Sequence, residues 1–523
     1  MDNVASTFGE ALAIHAAHQP AAIALRFGAA ATDYATFDRH ATQIANALLA
    51  TAAPAGSRIA YIGKNSDLAI ELALGVARAG MVFVPIIWRL TAAEIEVILR
   101  DCGPVALFVE PGFVDRVPGG GEAPATIVLM GDDGGDPAWP HFTRWRDAAP
   151  ATRVPVVVQA DDVVLQLYTS GTTGQPKGVM LSHANATGIR SALRAANLPW
   201  LFPAAPETIL VAMPYGHIGG VGGVLLATLD GSEMVIQPEF NAGAFLEAIE
   251  VNRIRRLFLV PAALKILLEH PRAAVTDFSS LEYFSYGSSP IPLDLLHQGL
   301  EALKCSFIQL YGLTESWGTA TALPPEDHHP DRLRVMASAG KAVPGVELRI
   351  VDEAGTPLPS GTIGEILIRS PSTMKGYWNR PEDTAHAVLP GGWLRTGDAG
   401  LLDAEGYLFI QDRMKDMIIT GAENVYPAEV ESAIYGHADV ADVAVIGVPD
   451  DRWGEAVKAI VVLKPGRMPD PASVIAFART RIAGFKCPKS IDFVETLPRN
   501  PAGKILRRAL REPYWAGRER GVN

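Results

Sequence analysis

Apolar positions along most of the chain switch repeatedly between two periods. Arg58–Gly63 (RIAYIG) is a short apolar run of the kind a buried strand requires. Ser66–Gly80 (SDLAIELALGVARAG) follows with a Ser cap, an acid in its first turn and a closing Gly, which predicts a helix. Met81–Ile87 (MVFVPII) reads as a strand again. Strand, helix and strand at this spacing make a βαβ unit, and the alternation recurs through Leu210–Gln237, Ala244–Val260 and Leu281–Gln309. An α/β fold of parallel sheets flanked by helices is the expected result.

After about Gly340 the pattern changes. Val346–Val351, Gly364–Arg369 and Tyr407–Gln411 read as short strands between Gly and Pro turns, as in a small β-barrel or meander. A charged segment, Gln411–Asp416, then leads into a last stretch long enough for a small domain. In it Tyr426–Tyr435 and Pro471–Ile482 read as helices, and Val440–Val448, Ala456–Leu463 and Ser490–Val494 as strands. The boundary falls near Lys415, giving domains 1–414 and 415–523. The Gly-rich stretch Pro118–Asp136 reads as an exposed loop.

Composition narrows the function classes. The 523 residues are 48% hydrophobic and 20% charged, enough to bury a large core in more than one folding unit. The net charge of -12, with no basic block, argues against wrapping nucleic acid. Only three cysteines occur, Cys102, Cys305 and Cys487, far apart and without CxxC or zinc-ligand spacing. A reducing, cytoplasmic setting is expected, with no signal peptide and no membrane span.

The most informative stretch is Leu167–His183, LYTSGTTGQPKGVMLSH. A strand, Val163–Tyr168, runs into Thr169–Pro176, built almost wholly of Thr, Ser, Gly and Pro, and then Lys177. Glycines let consecutive N–H groups converge on an anion, and a lysine can reach a terminal phosphate. A plain hydrophilic turn would look similar. A nucleoside-triphosphatase P-loop would not, because Pro176 and Gly178 flank the lysine where that motif needs Gly and Ser or Thr.

Taken with the motifs that follow it, this stretch resembles the adenylate-forming superfamily of acyl-CoA synthetases, nonribosomal adenylation domains and luciferases. Within it the chain is most similar to the fatty-acyl-CoA synthetases. Besides YTSGTTGQPKGV, the motifs are Tyr286–Pro290 (YGSSP), Tyr311–Ser316 (YGLTES), Thr396–Asp398 (TGD), Asp412–Asp416 (DRMKD), Gly421–Glu431 (GAENVYPAEVE) and Asn500–Lys504 (NPAGK). They occur in the family's order, and the resemblance covers essentially the whole chain, Ser6 to Arg511.

The resemblance implies a large AMP-binding domain, a small mobile α+β C-terminal domain, and ATP, Mg2+ and coenzyme A as cofactors. It implies that Thr169, Ser170, Gly171, Thr172, Thr173, Gly174 and Lys177 hold the β- and γ-phosphates. Gly287, Ser288, Ser289 and Gln309 would line the adenine, Tyr311 would stack on it and Gly312 would pass close by. Thr314 would contact the α-phosphate, with Glu315 and Thr169 on the metal side. Asp398 and Arg413 would hold the ribose. Catalysis would rest on Lys504, Glu315, Thr314 and Lys177, with Lys504 bridging the carboxylate and α-phosphate oxygens. A hinge at Lys415 would withdraw Lys504 and bring Gly421, Ala422, Glu423 and Asn424 to the coenzyme A side; many relatives have Gly where Ala422 stands.

The acid is read from Met213–Gly220 (MPYGHIGG). By resemblance His217 matches a gate position of the relatives and Gly287 also borders the acid, while Gly219, Gly220, Gly222 and Gly223 remove side-chain bulk and Trp317 caps or narrows the channel. The leading expectation is a medium- or long-chain fatty acid joined to coenzyme A. An aryl or branched acid, a carrier protein as acceptor, and a non-catalytic scaffold are the alternatives. Partners are the small-molecule acid, ATP and coenzyme A, with a homodimer left open.

Overall fold

The computed structural model describes residues 5–119, 124, 126–131, 138–170, 176–203, 205–420, 423–499 and 505–516. Local signals act as the sequence suggests. Ser66 caps the helix Asp67–Arg78 by accepting from the Ala69 N–H at 3.2 Å, and Asp67 sits in the first turn at the positive end. The strands on either side, Arg58–Gly63 and Val82–Ile87, pair in parallel from Arg58↔Val82 to Gly63↔Ile87.

Two large sheets carry the N-terminal part. The first has nine described strands in the order 341–342, 321–323, 306–311, 283–287, 256–259, 208–211, 233–236, 23–27 and 30–33. Its middle, from Ser306–Tyr311 to Ile23–Phe27, is parallel throughout. The second has seven described strands in the order 376–377, 176–182, 163–170, 82–87, 58–63, 106–109 and 126–129. The strand Thr126–Leu129 corrects the reading of 118–136 as one loop. Its TIVL run is β-branched and apolar, Val128 and Leu129 are fully buried, and it extends the sheet beside Ala106–Val109. Helices pack on these sheets around a core that includes Phe8, Phe37, Tyr61, Phe83 and Phe108.

Beyond Gly340 lies an antiparallel sheet. Glu347–Val351 and Gly364–Arg369 pair, and Trp393–Leu402 receives Gly364–Arg369, Val388–Leu389 and Leu408–Arg413. The C-terminal part is a sheet of strands 418–420, 423–425, 440–450, 454–463 and 490–493. Helices Pro427–Tyr435 and Pro471–Arg479 cover a core of Ile418, Val430, Ile434, Val445, Val457 and Val474. No helix among the described residues is long and apolar enough to cross a membrane.

Candidate active site

Strands Tyr283–Gly287 and Ser306–Tyr311 run side by side in parallel, with Tyr286 opposite Gln309 and Gly287 opposite Leu310. In open α/β sheets, ligands bind just beyond such carboxyl ends. Gly287 is demanded by the sheet itself, since a Cβ there would lie 2.3 Å from the Leu310 carbonyl oxygen. Ser288 next to it has φ +69°, a left-handed conformation that costs a non-glycine residue about 1–2 kcal/mol. Ser288 and Ser289 are exposed, and Gln309 sits half-buried beside Tyr286. Gly312 allows a tight return, its absent Cβ falling 2.6 Å from the Gly318 backbone.

Tyr311 is joined to Asp398. Its hydroxyl donates to Asp398 Oδ2 at 2.7 Å, and Arg413 Nε meets Asp398 Oδ1 at 2.9 Å. Sheet register explains the second contact, because Asp398 and Arg413 are directly opposed on antiparallel strands. Thr396 steadies the strand Trp393–Leu402 here: its hydroxyl donates to Ile366 O and accepts from Asp398 N. Burial, then Asp398, pushes the Tyr311 phenol well above its ordinary value, so it stays a donor. Burial alone would pull the Arg413 guanidinium down; Asp398, Tyr311 and Glu315 outweigh it and hold it raised.

Lys177, Thr169, Thr314 and Glu315 belong to the other half of the site. The strand expected to stop at Tyr168 continues to Ser170, and the return strand starts at Pro176. Thr169 and Lys177 are therefore cross-strand partners in a hairpin. Gly171, Thr172, Thr173 and Gly174 lie outside the described residues. Thr314 and Glu315 form a single 3-10 turn after Tyr311.

Two residues missed in the sequence complete this half. The Tyr377 hydroxyl donates to Glu315 Oε1 at 2.9 Å, and its ring lies 5.3 Å from Lys177 Nζ. Asp383 Oδ1 takes the Lys177 ammonium at 2.5 Å. Tyr377 lies on the two-residue strand Gly376–Tyr377, paired with Pro176–Ser182 far away in sequence, so local pattern gives it no signal.

On the acyl side, His217 precedes a π-helix, Ile218–Gly222, a form often found at functional sites. The four glycines do different things. Gly220 is packed against the Pro214 carbonyl, where a Cβ would be 2.2 Å away, so it serves the backbone and opens no channel. A Cβ at Gly223 meets nothing within 4 Å, and one at Gly219 meets only Phe258. A Cβ at Gly222 would lie 2.8 Å from Ile218 and 3.6 Å from Trp317 Nε1. Trp317 is 6% exposed, has φ +55°, and stacks on Phe8. Its indole N–H has no hydrogen-bond partner among the described residues.

At the C-terminal side, Met414–Asp416 is a 3-10 turn between strands Leu408–Arg413 and Ile418–Thr420. Lys415 falls in it. Glu423 and Asn424 are exposed on a short strand; Gly421, Ala422 and Lys504 lie outside the described residues. The helix Arg507–Trp515 is tied to the turn. Arg507 pairs with Glu431 at 2.7 Å and faces Asp412 at 3.5 Å and Asp416 at 3.7 Å, while Arg511 meets Asp416 at 3.0 Å. Asp412 also accepts from the Ala428 N–H at 2.9 Å. Burial pushes the Asp412 carboxyl up to about 6 against the pull of Arg507.

An aromatic, a carboxylate and an arginine beyond parallel strands, with a lysine and a second carboxylate nearby, define a nucleotide-using α/β enzyme. The chain belongs to the AMP-binding enzyme family: residues 12–378 match the model of that name, and residues 429–504 match its C-terminal domain. The fatty acid–[acyl-carrier-protein] ligase ScoC of Streptomyces coeruleorubidus is 40% identical, covering 99% of this chain and 98% of that one. A feruloyl-CoA synthase of Amycolatopsis sp is 39% identical over 95% of this chain and 96% of its own. ATP-bound MatB from Rhodopseudomonas palustris superposes with a TM-score of 0.87 at 32% identity, covering 97% of this chain and 99% of that one. By family the protein is an AMP-forming acyl-CoA synthetase.

Proposed function

We propose that the protein activates a medium- or long-chain fatty acid with ATP and passes the acyl group to coenzyme A. A carboxylate oxygen attacks the α-phosphorus and pyrophosphate leaves; the thiol then attacks the acyl carbonyl and AMP leaves. The observation that carries this reading is the connected set Tyr311–Asp398–Arg413 and Glu315–Tyr377–Lys177 beside the carboxyl ends of the parallel sheet. Tyr311 with Gly287, Ser288, Ser289, Gln309 and Gly312 receives the adenine, and Asp398 with Arg413 receives the ribose. Thr314 takes the α-phosphate, and Lys177 with the residues Thr169–Gly174 takes the β- and γ-phosphates.

One half-buried carboxylate oriented by a tyrosine suits Mg2+, which takes one or two carboxylates plus phosphate oxygens. No group of three or more His, Cys, Asp or Glu forms a closed metal cage among the described residues. Glu315, with the Thr169 hydroxyl, would hold the ion, which neutralises phosphate charge when bound. Lys504 supplies donors to the attacking and α-phosphate oxygens. A turn at Lys415 between domains 1–414 and 415–523 exchanges Lys504 for Gly421–Asn424 at the site. The cytoplasm is the proposed location.

Open space at Gly223 and the slight contact at Gly219 support an alkyl chain, as does the likeness to a fatty-acid ligase. A second reading, an aryl acid, is favoured by Trp317 closing in on Gly222 and by the likeness to a feruloyl-CoA synthase. A panel of acids in a coenzyme A-dependent AMP-release assay separates them. Decanoate or longer acids should turn over faster than ring acids; strong preference for a cinnamate-type acid would reject the fatty-acid reading. Adenylate formation with no coenzyme A turnover would move the acceptor to a carrier protein.

A further inference from the structure

The lysine assigned to the terminal phosphates already holds an anion. Lys177 Nζ meets Asp383 Oδ1 at 2.5 Å, with 13% and 35% of the two side chains exposed. Asp383 comes from the first turn of the helix Pro381–Ala387, and the backbone on both sides fixes where that turn sits. Tyr377 pairs with Val179, and Trp378 N donates to Gly178 O at 2.8 Å. Thr384 Oγ1 accepts from Tyr377 N at 2.9 Å and donates to Arg380 O at 2.8 Å. The carboxylate is thus delivered to the hairpin by the same segment that carries Tyr377 to Glu315.

An ammonium is a compact charge whose attraction for a second anion falls once a carboxylate sits against it. A nucleotide phosphate approaching Lys177 has to displace Asp383 and also meets that carboxylate's repulsion. We propose that Asp383 is a built-in competitor for the β- and γ-phosphates, so that it sets the affinity for ATP and helps release pyrophosphate by recapturing Lys177. The inference rests on the assignment of Lys177 to those phosphates.

Calorimetric titration with MgATP and, separately, with AMP tests it in the wild type, Asp383→Asn, Lys177→Met and the double variant. Loss of this partly buried ion pair predicts MgATP binding about fivefold tighter in Asp383→Asn. AMP, which lacks the β- and γ-phosphates, should bind unchanged. In the Lys177→Met background the same change should have less than about half that effect. Unchanged or weaker MgATP binding in Asp383→Asn, or an equal shift for AMP, overturns the proposal while leaving Lys177's role intact. Wild-type MgATP affinity in Lys177→Met instead removes the assignment beneath it. Asp383→Ala repeats the comparison should the Asn variant fold poorly.

Discussion

Replacing Tyr377 by Phe removes one hydroxyl and keeps the ring. That hydroxyl donates to Glu315 Oε1 at 2.9 Å, and burial followed by Glu315 raises its pKa, so it remains a donor throughout the working pH range. A hydrogen bond to a charged acceptor contributes about 1.5–3 kcal/mol. Glu315 is only half-buried, and water can partly replace the phenol, so the lower end applies. About 1.5 kcal/mol corresponds to roughly tenfold. If Glu315 binds Mg2+ during adenylation, a loosely held carboxylate should bind it less well. Acid-dependent ATP–pyrophosphate exchange, measured against Mg2+ concentration, should show half-saturation shifted upward several-fold and a rate at limiting Mg2+ down about tenfold. The melting temperature should fall by no more than a few degrees, because the ring packing is retained and only the one hydrogen bond is lost. An unchanged Mg2+ curve in a folded Tyr377→Phe protein would refute the reasoning.

Gly287→Ala sets a methyl 2.3 Å from the Leu310 carbonyl, so strands Tyr283–Gly287 and Ser306–Tyr311 must separate. The expected cost is about 1–3 kcal/mol of stability, read by denaturant unfolding, with nucleotide affinity falling as well; wild-type stability would contradict it. Asp412→Asn tests the charge cluster beside the turn at Lys415. The folded carboxyl is raised from 3.8 to about 6, so the native state holds its proton more tightly than the unfolded chain. That contribution is present below about pH 4 and is lost as pH rises through 6, roughly 3 kcal/mol in all. The wild type should therefore lose stability relative to Asp412→Asn between pH 4 and 6, and a pH-independent difference would contradict the cause assigned.

Local pattern was legible where one residue's neighbours in sequence are also its neighbours in space. The Ser66 cap and the parallel pair around it follow from nearby side chains. Asp398 and Arg413 could be named as candidates, and antiparallel register then makes them partners. Tyr377 and Asp383 were not legible. Each reaches the site through pairing between Gly376–Tyr377 and Pro176–Ser182, a contact no local periodicity encodes. The glycines of MPYGHIGG look alike in sequence, yet Gly220 answers to the Pro214 carbonyl and Gly223 to open space. Which atoms stand opposite a missing Cβ is a tertiary fact.

The central claim is that one C-terminal lysine serves the first half-reaction and not the second. Lys504→Ala should therefore be assayed twice, for acid-dependent ATP–pyrophosphate exchange and for thioester formation from pre-made acyl-adenylate and coenzyme A. Exchange should fall by two orders of magnitude or more, the usual size of losing a transition-state charge contact, while thioester formation stays near wild type. Equal loss of both, or exchange at the wild-type rate, would contradict the account.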